Sequence, residues 1–303
     1  MPPTWPADPG SVTVPLTGYN RPMRLIDTHQ HLWDLDLFTY SWMKGQPVLD
    51  RNFSLVDYRK ATEGIDVVQS VFVEADVDQH LMIDEAKHIL ELADRDDNPI
   101  SGLVAAARPE ADDFIRHIEA IAGHPALKGI RRLLQSERDD LAIDPVFLKN
   151  IASLERFGLS FDICVRAHQL PQAIQMVRQC PGVQFILDHC GNPEIATGIS
   201  NGWREGMAEM ASLPNVSCKV SGIVVNGDWN NWTSEDLRPA IEWTIECFGW
   251  DRVMFGSDWP VCTLAAPLRR WVETLEGIIA AASEENRRKL YLDNARRIYR
   301  LAS

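Results

Sequence analysis

Several features that mark other classes of protein are missing from this chain of 303 residues. No uninterrupted apolar run approaches the roughly 20 residues that a membrane-spanning helix needs. The first two dozen residues are rich in proline and lack the apolar centre of a signal peptide. The six cysteines form no CxxC pair, which predicts free, buried thiols in a reducing cytoplasm.

Positive charge is also scarce, because the net charge is −13 at pH 7. Proteins that bind nucleic acid or anionic membranes need a basic surface, so neither is expected as a partner. A cytoplasmic enzyme acting on a small molecule fits better. Residues 1–23 are predicted to form a short N-terminal arm on the surface or on the second subunit of a homodimer. No linker-like stretch divides residues 24–303, which are predicted to be one domain.

What the sequence does contain is a repeated alternation of short aliphatic runs with amphipathic segments, the pattern of parallel strands joined by helices. The predicted strands are residues 24–28, 67–74, 100–106, 128–134, 160–165, 184–187, 216–220 and 252–255. The predicted helices are residues 55–63, 79–95, 112–122, 145–156, 171–178, 202–211 and 235–248, with two more between 267 and 301, the second capped by Ser283. Eight repeats predict an α/β fold, a single (β/α)₈ TIM barrel. No G-x-G-x-x-G follows a strand, which argues against an open dinucleotide-binding sheet.

Ionisable residues stand at the ends of the predicted strands, and a barrel brings all these ends to one mouth. They are Asp27, His29 and His31 on the first strand, Glu74 on the second, Arg131 and Arg132 on the fourth, Arg166 and His168 after the fifth, Asp188 and His189 on the sixth, Lys219 on the seventh, and Asp258 after the eighth. The interiors of the same strands are almost wholly apolar. Surface solvation does not explain such a placement.

His29 and His31 are two residues apart, so they point to the same side of an extended strand. Together with His189 and Asp258 they are residue types that bind a divalent ion. Imidazole favours zinc, and such a set leaves one coordination position open for water. The same four residues also suit hydrolysis without metal, where a carboxylate takes a proton from water and donors hold the oxyanion. The structural alternatives are a helix-capping role for Asp258 and a backbone-bonded core position for His189.

Lys219 interrupts a strand-like run, and a lysine in a barrel mouth needs an anion or a polar ligand. A salt bridge to Glu74 or Asp258 is the structural alternative. Arg131 and Arg132 point to opposite faces, so only one of them can enter the mouth. Five tryptophans in predicted loops after strands could form a flat wall for a sugar ring, or could anchor their own loops. They are Trp33, Trp42, Trp229, Trp232 and Trp259.

The strand-end motifs resemble the amidohydrolase superfamily, in the amidohydrolase-related (amidohydrolase 2) branch, and within it the sugar-acid lactonase group. The segments that carry the resemblance are residues 26–33 (IDTHQHLW), 73–75, 129–135, 161–166, 187–193, 218–222, 254–260 (MFGSDWP) and 294–299. The resemblance implies a barrel hydrolase acting on lactones such as fuconolactone, galactonolactone or rhamnonolactone, with pyrone-dicarboxylate lactonase as a close relative. It carries His29, His31, His189 and Asp258 over as the reacting set.

The chain departs from the superfamily at its fifth strand, which ends in Cys164-Val165-Arg166-Ala167-His168, without a lysine and with the histidine shifted. A binuclear centre is therefore not expected. The cofactor prediction is at most one divalent ion, with zinc as the leading candidate, held by His29, His31, His189 and Asp258, and the sequence leaves open whether the chemistry needs it.

The leading hypothesis is water addition to a lactone carbonyl, with Asp258 as the base and the three histidines polarising the carbonyl directly or through an ion. The residues predicted to contact the substrate are Glu74, Arg131, Arg132, Lys219, Trp33, Trp259, Arg166 and His168. Two alternatives stay open. One is a zinc-dependent non-oxidative decarboxylase of the same branch, and the other is a catalytically inactive barrel that binds a sugar acid.

Overall fold

The computed structural model describes residues 24–302, so the arm predicted for residues 1–23 lies outside the described residues. Eight parallel strands follow one another around a single sheet in chain order. They are β1 Arg24–Gln30, β2 Asp66–Val73, β3 Ile100–Ala106, β4 Leu127–Leu133, β5 Ser160–Cys164, β6 Phe185–Leu187, β7 Val216–Val220 and β8 Val253–Phe255. The first and last strands meet through backbone hydrogen bonds just beyond β8: His31 N donates to Trp259 O (2.8 Å), and Asp258 N donates to His29 O (2.8 Å). The predicted (β/α)₈ barrel is confirmed.

Helices surround the sheet in the predicted order. They are α1 Leu55–Ala61, α2 Met82–Ala93, α3 Phe114–Ile121, α4 Pro145–Ala152, α5 Leu170–Gln179, α6 Asn201–Ala211, α7 Ser234–Phe248, α8 Leu268–Ile278, α9 Glu284–Arg288 and α10 Asn294–Tyr299. The helix starts follow local capping chemistry. Ser54 and Asp57 form a reciprocal capping box at α1, and Asp144 caps α4 ahead of Pro145.

The last predicted helix differs in detail from the observed one. It begins after Ser283, whose hydroxyl accepts a hydrogen bond from Asn286 N, as the sequence predicts. It then runs as three contiguous pieces, because a π-helical stretch, Lys289–Asp293, separates α9 from α10. The predicted helix 79–95 likewise starts with a 3₁₀ turn, Gln79–Leu81, before α2.

Alternate strand residues face two different cores, as the period of two requires. Leu25 and Phe72 belong to the large core between the sheet and the helices, whereas Ile26 and Val71 belong to a smaller core with residues of α10. Lys128 Nζ, near the start of β4, donates to Arg300 O just after α10 (3.0 Å). The chain's last helix therefore closes the barrel at the end where the strands begin, which leaves the opposite end for a site.

Two further observations concern residues 24–302. None of the helices there combines the length and the apolar character needed to cross a membrane. All six cysteines are free thiols, and five of them are buried, with Cys247 half-buried. The sequence-based prediction of free thiols is therefore confirmed.

Candidate active site

His29 occupies the centre of the barrel mouth and is fully buried. Its Nε2 lies 3.2 Å from Arg131 Nη1, and its Nδ1 lies 3.3 Å from Asp188 Oδ1 and 3.2 Å from Lys219 Nζ. A guanidinium can only donate, so Nε2 accepts from Arg131 and Nδ1 carries the proton toward Asp188. Burial, and then the charge of Lys219, lower the pKa of His29 well below its usual value. The ring is therefore a neutral imidazole near pH 7.

His31 reaches the same side as His29 and meets Asp258. Its Nδ1 lies 2.7 Å from Val73 O, a carbonyl oxygen that can only accept, so Nδ1 carries a proton. Its Nε2 lies 3.3 Å from Asp258 Oδ1, and the Nε2 of His29 lies 3.7 Å from the same oxygen. An imidazole lone pair and a carboxylate oxygen at this distance repel unless a proton or a cation lies between them. The site thus has a place for one positive charge beside Asp258.

His189 approaches from the loop after β6, where its backbone adopts a left-handed conformation (φ 54°). Its Nδ1 lies 3.0 Å from Ser221 Oγ, which fixes the ring while Nε2 has no hydrogen-bond partner among residues 24–302. The ring centroids of His189 and His29 are 4.4 Å apart. Burial lowers the pKa of His189, so this ring is also neutral near pH 7.

Gly222 makes the convergence of these groups sterically feasible. A Cβ added there would lie 2.3 Å from His189 Nδ1 and 2.9 Å from Asp258 Oδ2, and the backbone has φ +63°. Only glycine adopts this positive φ without strain and also lacks the Cβ that would clash with His189 and Asp258. The close approach of the loops after β6, β7 and β8 depends on this residue.

Arg131 is the cationic side chain that enters the mouth. Its Nε donates to Glu74 Oε1 and its Nη2 to Glu74 O, both at 2.6 Å, while Nη1 faces His29 and Asp188 Oδ2 (3.3 Å). Burial alone would lower the pKa of Arg131, but the charges of Glu74 and Asp188 raise it above its ordinary value. A permanently charged, rigidly held donor therefore lies beside the histidines.

Lys219 lies beneath His29 in a buried charge cluster. Its Nζ lies 2.6 Å from Asp162 Oδ2 and 3.1 Å from Asp188 Oδ1, and Tyr299 Oη donates to Asp162 Oδ2 at 2.7 Å. Burial raises the pKa of Asp162 to about 6. Burial would raise the pKa of Asp188 too, but the charge of Lys219 and the contact with His29 hold it well below its usual range. Asp188 and Lys219 therefore hold the His29 ring in its orientation. Carboxylates commonly hold the ring of a metal-binding histidine in this way.

Two groups of side chains in the described part of the chain offer ligand atoms within 4.8 Å of one another, and both are buried. One is His29, His189 and Asp258; the other is Cys164, Asp188 and His189. The first set, two imidazoles and a carboxylate, fits a zinc ion that keeps an open position. The second fits less well, because burial raises the pKa of the Cys164 thiol and Asp188 is engaged by Lys219. His31 belongs to neither set, although it contacts Asp258.

A cavity of about 360 Å³ opens above this cluster, a size suited to a single sugar ring. His31, Arg131, His189 and Asp258 form its floor. Its walls are Trp33, Trp42, Ala75, Asp76, Leu133, Gln135, Ser136, Cys164, Arg166, Asn192, Gly222, Val225, Asn226 and Val261. Of the residues predicted to contact substrate, Arg131, Arg166 and Trp33 line this cavity.

The other predicted contact residues are placed elsewhere. Arg132 turns outward to Glu110 (3.0 Å) and Glu137 (2.8 Å), since adjacent strand residues face opposite ways. His168 is half exposed on Asp139 (3.1 Å), away from the cavity. Trp259 is buried against neighbouring aromatic rings, with centroids 5.4 Å from Phe53 and 5.3 Å from Tyr58.

Glu74 and Lys219 also lie beneath the cavity rather than on its wall. Glu74 is held by Arg131, and Lys219 is fully buried by Asp162 and Asp188, so neither is free to contact a substrate. The sequence offered Glu74 or Asp258 as the salt-bridge partner of Lys219. In the structure Lys219 pairs with Asp162 and Asp188 instead. Glu74 and Lys219 both support the side chains that do reach the cavity.

Sequence reasoning missed several wall residues, above all Asp76. It follows the Val-Glu-Ala segment at residues 73–75 by one position and has a left-handed backbone (φ 56°). Gln135, Asn192 and Asn226 were missed because uncharged amides in loops carry no distinctive spacing. An aspartate directly after a strand-end motif was the one signal available, since Asp is among the residues enriched at positive φ.

Comparisons with known proteins agree with the barrel fold. A family model described as Amidohydrolase matches residues 26–301. The chain is 32% identical over 269 residues to the L-fucono-1,5-lactonase of Burkholderia multivorans, an alignment that covers 82% of this chain and 88% of that protein. It is 23% identical to the L-rhamnono-gamma-lactonase of Scheffersomyces stipitis, over 92% of this chain and 99% of that protein. A crystal structure of an amidohydrolase from Burkholderia multivorans with bound zinc superposes with a TM-score of 0.83 at 30% identity, covering 92% of this chain and 99% of that one.

Proposed function

Because this chain belongs to the amidohydrolase family, whose model spans residues 26–301, we propose that it is an enzyme that opens the lactone ring of a sugar acid. The lactonase relatives support the substrate class. The single observation that carries the chemistry is the convergence of Asp258 with His29 and His31, at 3.7 and 3.3 Å, at the floor of a cavity of about 360 Å³. A base, several donors and room for one ring are what lactone hydrolysis needs.

Asp258 is the general base of the proposal. Its Oδ1 faces His29 and His31, and its Oδ2 lies on the side of Gly222, so the carboxylate is fixed at the cavity floor. When water adds to the lactone carbonyl, Asp258 takes one of its protons, and that proton then passes to the ring oxygen as the C–O bond breaks. A lactone is an activated ester, so one positioned base supplies a substantial part of the acceleration.

The oxyanion that forms needs donors or a cation, and the site has candidates for both. Arg131 Nη1 is a fixed charge beside His29, and the His31 side chain reaches the cavity floor next to Asp258. Such preorganised donors stabilise developing negative charge without reorganising during the reaction. Arg131 is therefore assigned to polarising the carbonyl, whereas His31 takes part through the proton or cation that lies between its Nε2 and Asp258 Oδ1.

A zinc ion, when bound, would be held by His29, His189 and Asp258 and would add Lewis-acid polarisation of the carbonyl. Both histidines are neutral near pH 7, the state in which imidazole ligates a metal. An ion at His29 Nε2 would take the place of the hydrogen bond from Arg131 Nη1. The guanidinium and the ion are thus alternative sources of positive charge at this nitrogen.

The test is a pH-indicator screen of aldonolactones, run on the wild-type protein and on Asp258→Asn, each with and without exhaustive chelation and with zinc measured by elemental analysis. We expect the wild type to open at least one aldonolactone and Asp258→Asn to lose at least about a hundredfold in kcat, the usual worth of a general base. Asp140→Asn, which removes an exposed carboxylate after β4, is the matched control. Full turnover by a folded Asp258→Asn protein would remove Asp258 from the mechanism.

The chelation arm decides the role of the ion. Activity that persists in zinc-free protein assigns the positive charge to Arg131. Activity that disappears and returns with added zinc assigns it to the metal. If the wild type opens no lactone but releases carbon dioxide from an aromatic acid in the presence of zinc, the lactonase proposal is wrong.

A further inference from the structure

Asp76 is a charged residue on the cavity wall that the proposed chemistry does not use. It lies three residues beyond the end of β2, and its backbone N donates to Glu74 Oε2 at 2.7 Å, which fixes the turn that carries it. Its left-handed backbone (φ 56°) is uncommon for a residue other than glycine. Strain of this kind persists where the surrounding structure requires a particular side-chain position, and such positions cluster at functional sites.

The carboxylate of Asp76 has no hydrogen-bond or salt-bridge partner among residues 24–302, although it is only partly exposed. Burial, and then the negative charge of Glu74, raise its pKa to about 6, against the opposing charges of Arg131, Arg132 and Arg108. It is thus mostly ionised at pH 7, half-desolvated and unpaired. A carboxylate in this state has unused acceptor capacity directed at whatever occupies the cavity.

The indole of Trp42 lies on the same part of the wall. Its Nε1 donates to Ala75 O at 2.8 Å, the residue directly before Asp76, and the ring packs edge-to-face against Trp33 with centroids 6.0 Å apart. Trp42 nevertheless keeps 37% of its surface exposed, so the ring is anchored without being covered. A flat apolar face therefore stands beside an unpaired carboxylate.

We propose that Asp76 and Trp42 form a hydroxyl-recognition subsite, in which the carboxylate accepts hydrogen bonds from neighbouring hydroxyls of the substrate and the indole covers its C–H face. The two carboxylate oxygens can accept from two adjacent hydroxyls at once, a geometry that a polyhydroxylated ring offers and an unsubstituted ring does not. A substrate carboxylate at this position would meet like charge. The subsite therefore selects neutral, hydroxyl-rich lactones over dicarboxylate lactones.

This inference rests on the proposed lactonase function and concerns which lactone is chosen. The remaining polar wall residues are consistent with it, because Gln135, Asn192 and Asn226 are uncharged amides that both donate and accept. Of the described wall residues, Arg166 is the one cation outside the floor, and its Nε donates to Gln135 O at 3.0 Å. The cavity wall therefore suits a ligand with several hydroxyl groups better than a ligand with several charged groups.

The experiment measures kcat and KM separately for L-fuconolactone and L-rhamnonolactone, and kcat/KM for the unsubstituted δ-valerolactone and γ-butyrolactone. The variants are Asp76→Gly and Asp76→Asn, because glycine and asparagine both accept the left-handed backbone, together with Trp42→Leu. Glu194→Gln is the matched control, since Glu194 is an exposed carboxylate after β6 at the same end of the barrel and outside this cavity. Thermal melting is recorded for every variant.

We expect Asp76→Gly to raise KM for the hydroxylated lactones at least about tenfold, the usual effect of losing a charge-assisted hydrogen bond, with a much smaller change in kcat. The preference for hydroxylated over unsubstituted lactones should fall by a similar factor, and Trp42→Leu should shift it in the same direction. An unchanged preference, or an equal loss of kcat on all four lactones in a folded variant, overturns the subsite. A wild-type protein that opens no aldonolactone in the wider screen instead refutes the lactonase function itself, so the two failures are distinguishable.

Discussion

At the scale of single residues, burial decides the charge of side chains whose identity alone says little. Glu85 on α2 is almost fully buried and accepts a hydrogen bond from Tyr40 Oη at 3.1 Å. Burial, and then the charge of Glu74, raise its pKa to about 8. Glu85 therefore holds its proton at pH 7 as a neutral acid beneath the loop that carries Trp42.

The raised pKa of Glu85 makes the stability of the folded protein fall as the pH rises. Between the ordinary pKa of 4.5 and about 8, the unfolded chain releases the proton of Glu85 while the folded protein keeps it. The free energy of unfolding therefore falls as the pH rises through this window, by up to about 1.4 kcal/mol per pH unit from this group. The amide of Glu85→Gln cannot ionise, so the variant should be more stable than the wild type at pH 8 and close to it at pH 5.

Urea unfolding at the two pH values measures this difference. Glu91→Gln is the matched control, because Glu91 is an exposed carboxylate on the same helix. A Glu85→Gln protein whose stability follows the wild-type pH dependence without change would show that Glu85 is ionised in the folded state.

At the scale of secondary-structure elements, strained backbone collects where strands pass into loops at the mouth. Among residues 24–302, six residues other than glycine have positive φ, and five of them follow β2, β6 or β8 at this end of the barrel. They are Asp76, His189, Cys190, Asn192 and Asp258. Each of these loops turns sharply to aim a side chain inward, and the packed sheet beneath supplies the stability that holds such conformations.

The loop after β7 contributes Gly222 to the mouth of the barrel. Comparing Gly222 with Gly158 separates the effect of a left-handed backbone from the effect of a steric clash. Gly222 and Gly158 have nearly the same φ, +63° and +64°, but an added Cβ meets His189 and Asp258 only at Gly222 and meets nothing at Gly158. Replacing either with alanine should cost about 1 to 2 kcal/mol of stability from the backbone. Only Gly222→Ala should also lose most of its activity, because His189 and Asp258 must move.

Melting temperatures and lactonase rates of the two variants make the comparison. Equal activity in Gly222→Ala and Gly158→Ala would mean that the positions of His189 and Asp258 do not limit catalysis.

At the scale of the whole molecule, the two ends of the barrel are linked by a buried chain of polar contacts. Tyr299 on α10 donates to Asp162 on β5, and Asp162 accepts from Lys219 on β7. Lys219 also pairs with Asp188 Oδ1 at 3.1 Å, and this oxygen faces Nδ1 of His29 on β1 at 3.3 Å. The helix that closes the barrel at one end thus supports the histidine at the other. Elements far apart in the sequence share one network.

Tyr299→Phe tests this link with little change in side-chain volume. Removing the hydroxyl leaves Asp162 Oδ2 with Lys219 as its remaining donor, so we expect the free energy of unfolding to fall by about 1 to 3 kcal/mol. Denaturant unfolding measures the loss. Because Lys219 would hold Asp162 alone, we also expect the pH profile of kcat to shift, whereas an unchanged stability and profile would show that the hydroxyl contributes nothing to the network.

The sequence by itself determined the barrel and most of its mouth. Apolar runs of strand length alternating with amphipathic segments are a local property of the chain, and they located all eight strands with errors of about two residues at their ends. The period of two put His29 and His31 on one side, and the position of Asp258 after the last strand brought it to them, since parallel strands end together.

Only the tertiary structure decided which side chains reach the cavity. Arg131 enters and Arg132 turns away because of the strand's rotation, which two adjacent arginines do not reveal. Lys219 is withdrawn from substrate by Asp162 and Asp188, acids on other strands. Asp76 reaches the wall through a left-handed turn. Strand order follows from local periodicity, whereas burial, pairing and the direction of a side chain are set by residues distant in sequence, and those exist as neighbours only once the barrel has closed.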